Sequence, residues 1–251
     1  MLSHFSQFDK NTSVSMELMI IFAIYKHIIL MELPKVAIIV AGGKGLRMNS
    51  EIPKQFLKIN HLPILMHTLI AFSRYDASIQ LILVLPAVQI EYWKQLCHEH
   101  SFAISHTIVN GGDTRFASVK NGLNAVKVHS LVAVHDGVRP LVSEDTIDRC
   151  YKMAQQFGAV IPTVGLVDSI RLVTENSNQA LDRSKYYIVQ TPQVFDSVII
   201  KNAYNQEFSP LFTDDASVVE AAGNSVILVE GNRENLKITT DIDLKIASLF
   251  L

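Results

Sequence analysis

The sequence predicts an α/β protein: a doubly wound, mainly parallel sheet with a protruding β-hairpin arm. Short unbroken apolar runs rich in β-branched residues recur along the chain, as in strands buried on both faces. Stretches of helical spacing fall between them, and such alternation means parallel strands joined by right-handed crossovers. One interval, 167–189, breaks the rhythm with two extended pieces around a polar stretch, which reads as the arm.

The first strand is 36–40 (VAIIV). A helix follows at 63–75, where Leu65, Leu69 and Phe72 lie near helical spacing. The strand 79–85 (IQLILVL) is stopped by Pro86, and a helix at 88–100 leads to a strand at 105–109. Then come a helix at 115–125, a strand at 130–135, a helix at 143–157 and a strand at 159–162. In the arm, DSIRLV and YYIVQ flank TENSNQALDRSK. Such an arm buries little apolar surface alone, so a second copy of the chain is its most economical partner. A helix at 214–222, a strand at 225–229 and a closing helix at 241–251 complete the layer.

A chain of 251 residues suits one moderately large domain with an appendage. The expected division is an N-terminal extension, 1–31, and a domain, 32–251, with its arm at about 165–189. Met31 stands just before the first strand, where translation is expected to start; the alternative is a helical extension packing on the domain or on a lipid surface. The apolar stretch 18–25 is interrupted at Lys26 and His27, well short of the roughly 20 residues of a spanning helix. No secretory pattern surrounds it, and no membrane partner is expected. A net charge of -2 gives no electrostatic case for nucleic acid, so an anion site must be a local cluster. Cys97 and Cys150 fit no metal spacing and no disulfide framework, which suits a reducing cytoplasm.

The chemistry centres on KVAIIVAGGKGLRMNSEIPKQ. Gly42, Gly43 and Gly45 follow a buried strand, with Lys44, Arg47 and Lys54 around them. Closely spaced glycines let backbone N–H groups approach an anion, and the cations supply charge for a triphosphate or pyrophosphate. The P-loop tail is absent, and the dinucleotide fingerprint fails because its third glycine position is Met48. A glycine-rich turn with a solvated basic rim is the plainer alternative. In NGGDTR, Asp113 could cap a helix or accept from a base, with Ser118 one turn inside. In VHDGVRP, Asp136 sits at a strand mouth with Arg139 behind it; such a carboxylate can hold Mg²⁺ or merely pair with the arginine. His135 reads as a packed residue rather than a base. The QTPQ and TDDAS segments could be turn and capping chemistry only, and Lys237 taken alone is an edge or surface lysine.

Taken together and in order, AGGKGLRM, PKQF, GGDTRFASV, VHDGVRP, TPQVF, TDDASVVE and NLKIT resemble the polyol-phosphate cytidylyltransferases, most closely the methylerythritol-phosphate branch of non-mevalonate isoprenoid synthesis. The resemblance runs from about Leu33 to the end and implies a Rossmann-like nucleotidyltransferase sheet. It implies that Ala41, Gly42, Gly43 and Gly45 wrap the CTP triphosphate and ribose, with Arg47 and Lys54 on the phosphates. Gly112, Asp113 and Ser118 would read cytosine and ribose, and Asp136 would bind magnesium with Arg139 supporting its turn. Asp168-Ser169 and Arg183 match positions that hold the sugar phosphate from the partner subunit of a homodimer. Thr191 and Thr213 would line that pocket, and Lys237 would approach the reacting phosphates. The chain departs from the family at Val40-Ala41-Gly42-Gly43, where Pro-Ala-Ala-Gly is usual, at Gly137-Val138 in place of paired alanines, and at Ser169 in place of threonine.

The implied reaction joins the methylerythritol phosphate to the α-phosphorus of CTP and releases pyrophosphate. Ribitol 5-phosphate is the rival acceptor. A nucleotide-binding regulator without turnover is the rival of another class, opposed by the cluster of Lys54, Asp136 and Lys237. A dinucleotide-dependent oxidoreductase is opposed by the missing glycine.

Overall fold

A computed structural model describes residues 32–42 and 52–251. The chain divides into two units, Met1–Leu33 and Pro34–Leu251, and the second carries the whole sheet. The expected extension 1–31 lies outside the described residues.

Along the described chain the elements are β1 (Lys35–Val40), a 3₁₀ turn (Lys54–Phe56), β2 (Lys58–Ile59), β3 (Leu62–Pro63), α1 (Ile64–Tyr75), β4 (Gln80–Leu85), α2 (Ala87–Glu99), β5 (Thr107–Asn110) and α3 (Arg115–Ala125). Then follow β6 (Leu131–Asp136), α4 (Glu144–Phe157), β7 (Ala159–Gly165), β8 (Ile170–Val173), β9 (Asn178–Leu181), a 3₁₀ turn (Arg183–Lys185), β10 (Tyr187–Val189), β11 (Gln193–Asp196), α5 (Ser197–Ala203), α6 (Asp215–Ala221), β12 (Ile227–Glu230) and α7 (Asp241–Ala247).

Side by side, the main sheet runs β5, β4, β1, β6, β11, β7 and β12, with β10 extending the β11 side of β7. The β1–β4, β1–β6, β4–β5 and β7–β12 pairs are parallel, whereas β10 and β11 run antiparallel to their neighbours. The chain leaves β1 towards β4 and returns to it at β6. The edge between β1 and β6 is therefore the topological switch point, where ligands of open α/β sheets lie outside the strand C-termini.

Burial explains why the apolar runs were readable. Val36 and Ile38 join Ile82, Val84, Val132 and Val134 in one core layer with residues of α3, α5 and α6. The alternate residues Ala37, Ile39 and Leu83 are equally buried on the opposite face. Helix starts are fixed by local chemistry. Ser143 accepts from the Thr146 N–H at the head of α4, and Asp214 and Thr240 form capping boxes with Ser217 and Asp243. The cap of α3 is Thr114, which accepts from the Ala117 N–H; Asp113 does not cap it.

Three expectations are corrected. YYIVQ is not the second strand of the arm hairpin: β10 returns to pair with β7, and β8 instead pairs with β9 from within the polar stretch. Strand β7 runs on to Gly165, because its register with β12 and β10 extends beyond Pro162. The closing helix ends at Ala247. The hairpin β2–β3, strand β11 and helix α5 carried no expectation.

Candidate active site

The C-terminal ends of β1, β4, β5 and β6 open onto a cleft of about 660 Å³. Its wall includes Ala41 and Gly42 after β1, Lys54 and Gln55 from the first 3₁₀ turn, Gly111 to Arg115 and Ser118 at the head of α3, Asp136 at the end of β6, and Lys237.

Ser118 shapes one side of the cleft. Its hydroxyl donates to the Thr114 carbonyl at 2.9 Å and accepts from the Gly112 N–H at 3.1 Å, folding the glycine turn back on α3. A Cβ on Gly112 would lie 2.5 Å from the Ala117 methyl, so only glycine fits this approach. Gln55, almost fully buried, donates to the Ala41 carbonyl at 2.9 Å and to Gln89 Oε1 at 2.6 Å. It thereby ties the segment carrying Lys54 to the end of β1. The departure at Gly137 also has a steric reason: a Cβ there would meet the Ala41 methyl at 2.9 Å and Leu65 Cδ1 at 3.0 Å.

Charge gathers on Asp136. Oδ2 faces Lys237 Nζ at 3.0 Å and Arg139 Nε at 3.3 Å, and Oδ1 faces Arg115 Nε at 3.8 Å. Burial alone would raise the pKa of this carboxyl. Arg115, Lys237 and Arg139 override that and hold it well below the usual carboxylate range. Arg115 is anchored from behind, giving two hydrogen bonds to the fully buried Asp215, at 3.0 and 2.6 Å, while the Tyr204 hydroxyl donates to the same carboxylate at 2.6 Å. Burial works against the Arg115 charge, but Asp215 and Asp136 keep its pKa above the ordinary value. Lys54 Nζ lies 3.4 Å from the carbonyl of Ile238, the residue after Lys237, which brings the Lys54 amine to the segment that carries Lys237.

His135 is not a base. It is fully buried, and burial pushes its pKa down to about 4. Nε2 lies 3.1 Å from the Arg139 carbonyl, which can only accept, so Nε2 carries the proton. Nδ1 then accepts from the Thr191 hydroxyl at 3.1 Å, and that hydroxyl accepts from the Asp136 N–H at 3.1 Å.

Of the sequence-predicted residues, Ala41, Gly42, Lys54, Gly112, Asp113, Ser118, Asp136 and Lys237 meet on this cleft. Gly43, Gly45 and Arg47 lie outside the described residues. Arg139 and Thr191 stand behind Asp136 rather than in the cleft wall: Thr191 is buried, and the Arg139 guanidinium reaches the Asn235 carbonyl at 2.8 Å. Thr213 is exposed just ahead of α6. Asp168, Ser169 and Arg183 are exposed on the arm, where Arg183 Nη1 donates to the Val167 carbonyl. Gln55, Arg115, Asp215 and Asn235 were not singled out. All four stood inside quoted motifs, PKQF, GGDTRFASV, TDDASVVE and NLKIT, and a buried role was the missing signal.

Among the described residues no group of three His, Cys, Asp or Glu side chains could hold a metal ion. A divalent cation here would have Asp136 as its protein ligand and take the rest from phosphate oxygens and water, the coordination that Mg²⁺ favours. Oδ1 carries no hydrogen-bond donor among the described residues, so the carboxylate fits such an ion. Among the described residues no helix is long and apolar enough to cross a membrane.

A doubly wound sheet that gathers Lys54, Lys237, Arg115 and the carboxylates of Asp113 and Asp136 at its switch point fits a nucleotidyltransferase, a class that generally uses divalent cations. Comparison with known proteins narrows the class. Residues 35–251 match the family described as 2-C-methyl-D-erythritol 4-phosphate cytidylyltransferase, and the chain belongs to that family. A protein of that name from Bacteroides thetaiotaomicron is 58% identical over 214 residues, covering 85% of this chain and 98% of the relative. One from Porphyromonas gingivalis is 50% identical over 222 residues, covering 88% and 99%. The crystal structure of 4-diphosphocytidyl-2C-methyl-D-erythritol synthase from Anaerococcus prevotii superposes with a TM-score of 0.74 at 30% identity, covering 87% of this chain and 96% of that one.

Proposed function

We propose that the chain transfers the cytidylyl group of CTP to 2-C-methyl-D-erythritol 4-phosphate, giving 4-diphosphocytidyl-2-C-methyl-D-erythritol and pyrophosphate in isoprenoid precursor synthesis. The observation that carries this reading is the meeting of Lys54, Lys237 and Asp136 on one cleft at the switch point, in a chain of this family.

The acceptor is a phosphate monoester whose second pKa is about 6, so it is largely dianionic at neutral pH. It needs no general base, which suits a site whose histidine is buried, neutral and committed to the Arg139 carbonyl. The obstacle is that two polyanions must meet and a five-coordinate phosphorus must form between them. Fixed positive charge and alignment do most of such work. Lys54 and Lys237 flank the phosphates, with Arg47 of the glycine loop assigned to the same task. The turn held by Ser118 brings Gly112 and Asp113 to the nucleoside, and Ala41 and Gly42 present backbone to the triphosphate, with Gly43 and Gly45 assigned to the same task. Asp136 is the ligand for magnesium, which when bound supplies countercharge to the triphosphate.

The arm is assigned to a second copy of the chain. Leu172 and Val173 are exposed on its β8 strand, and Tyr187 and Ile188 on β10 at its base, apolar surface that neither strand conceals by itself. In the dimer, Ser169 and Arg183 reach the partner's sugar phosphate, Thr213 belongs to the same end of the pocket, and Thr191 supports that end from behind by holding the Asp136 N–H. The setting is the cytoplasm. Pyrophosphate release is the test, with CTP, Mg²⁺ and each polyol phosphate in turn. Release with 2-C-methyl-D-erythritol 4-phosphate is expected. Release with ribitol 5-phosphate alone would overturn the acceptor, and tight CTP binding without release would mark a regulator.

A further inference from the structure

We propose that Asn235 is the positioning residue for Lys237: its buried amide pins the backbone ahead of the lysine to Thr191, the residue whose hydroxyl holds the strand end that carries Asp136. This rests on reading Lys237 as a cation that meets the reacting phosphates. Lysine is a flexible side chain, and that of Lys237 is 43% exposed, so its placement depends on where its backbone is held. The segment between β12 and α7 has no regular secondary structure to hold it.

Side chains do the holding. Asn235, fully buried, donates from Nδ2 to the Thr191 carbonyl at 2.8 Å. Its own carbonyl accepts from Arg139 Nη1 at 2.8 Å and from Gln190 Nε2 at 3.3 Å, and Gln190 also donates to the Asn232 carbonyl at 2.8 Å. Beyond the lysine, the Ile238 N–H donates to the Val138 carbonyl at 3.0 Å. Lys237 is thus fastened on both sides. Thr191 makes the link specific: its carbonyl takes the Asn235 amide while its hydroxyl takes the Asp136 N–H, so one residue sets both members of the Lys237–Asp136 pair.

Stability alone does not account for an asparagine in this place. Its Oδ1 is buried without a partner among the described residues, as is Gln190 Oε1, and an unmatched buried acceptor is destabilising. Each amide is used for its donor. Aspartate would offer the Thr191 carbonyl no proton, and alanine would leave that carbonyl unmatched.

The test is a double-mutant cycle on nucleotidyl transfer, read with labelled CTP so that slow variants remain measurable. Asn235→Ala should lower kcat by roughly 100-fold, the cost of displacing a catalytic group by about 1 Å, with KM for CTP changed less than about threefold. In a Lys237→Ala background the same substitution should cost less than about twofold, because no amine remains to position. A purely structural role would multiply the loss equally in both backgrounds and would overturn the proposal while leaving Lys237 in the mechanism. Near-wild-type turnover in Lys237→Ala itself would remove the reading and the proposal with it. Should Asn235→Ala not fold, Gln190→Met, which keeps volume and loses the amide, carries the same cycle with an expected loss of about tenfold. Failure of both to fold would make the amides part of the core and also overturn the proposal.

Discussion

Replacing Asp215 by alanine strands the guanidinium that faces Asp136. Asp215 is fully buried and accepts three hydrogen bonds, two from Arg115 and one from the hydroxyl of Tyr204, itself 2% exposed. Removing one partner of a buried ion pair costs about 3–5 kcal/mol. The Arg115 side chain is 31% exposed and rehydrates in part, which places the loss near the lower end, about 3 kcal/mol with the orphaned hydroxyl included. In a domain of this size each kcal/mol is worth about 2–4 °C in Tm, so the midpoint should fall by about 6–12 °C. Replacing both partners, as Arg115→Met with Asp215→Leu, should recover most of the loss, since no uncompensated charge is left inside. Trp93, the lone tryptophan and fully buried, gives the fluorescence signal for urea unfolding. A loss under about 1 kcal/mol in Asp215→Ala would refute the claim that this pair anchors Arg115.

Lys54→Ala and Lys237→Ala should each lower kcat by more than about 100-fold with the urea midpoint unchanged; near-wild-type turnover in either removes that residue from the mechanism. His135 sets a pH dependence of stability. Its folded pKa of about 4 lies below the ordinary 6.5, so as pH falls the unfolded chain takes up the proton first. The His135 contribution should therefore decline from pH 6.5 to 4 by about 3 kcal/mol and be spent below that, where the depressed Asp136 carboxyl continues the loss, and His135→Asn should lack the upper slope in unfolding at pH 7 and 4.5. Gly122→Ala in α3 brings a methyl to 2.7 Å from Ile38 Cγ2 and 3.1 Å from Val84 Cγ2. The helix gains about 1 kcal/mol and overpacking costs about 1–3, so thermal unfolding should show a net loss; a stabilised variant would mean a looser contact than described. Sizing at micromolar concentration should give a dimer, and substituting Leu172 and Val173 on the arm by serine should give monomers without loss of secondary structure; an unchanged elution volume would argue against the arm.

The strands of the central sheet were readable because burial on both faces leaves a plain apolar signature, as in β1, β4 and β6. The hairpin β2–β3 was not, because its turn residues Asn60 and His61 both take positive φ, at 47° and 73°, without the glycine that announces such a turn. The partner of YYIVQ could not be read either: strand pairing is a long-range choice, and β10 pairs with β7 rather than with its nearer neighbour. In the site, Lys54, Asp136 and Lys237 were legible through their motifs. Asn235, Gln190 and Asp215 stood in quoted motifs as well, but their roles were not legible, since a polar residue looks solvated until the fold buries it. Asp113 was weighed as a helix cap, but the next residue, Thr114, has the register that reaches the Ala117 N–H.

Binding of CTP with Mg²⁺, seen in a crystal structure, tests the central claim most directly. The account predicts the triphosphate between the ends of β1 and β6, within hydrogen-bond reach of Lys54 and Lys237, with the Asp136 carboxylate turned towards it. A nucleotide seated in the cleft of about 640 Å³ at the opposite ends of β4 and β5, among Ser73, Gln80, His106 and Thr107, would contradict it, as would a Lys237 amine turned away from the phosphates.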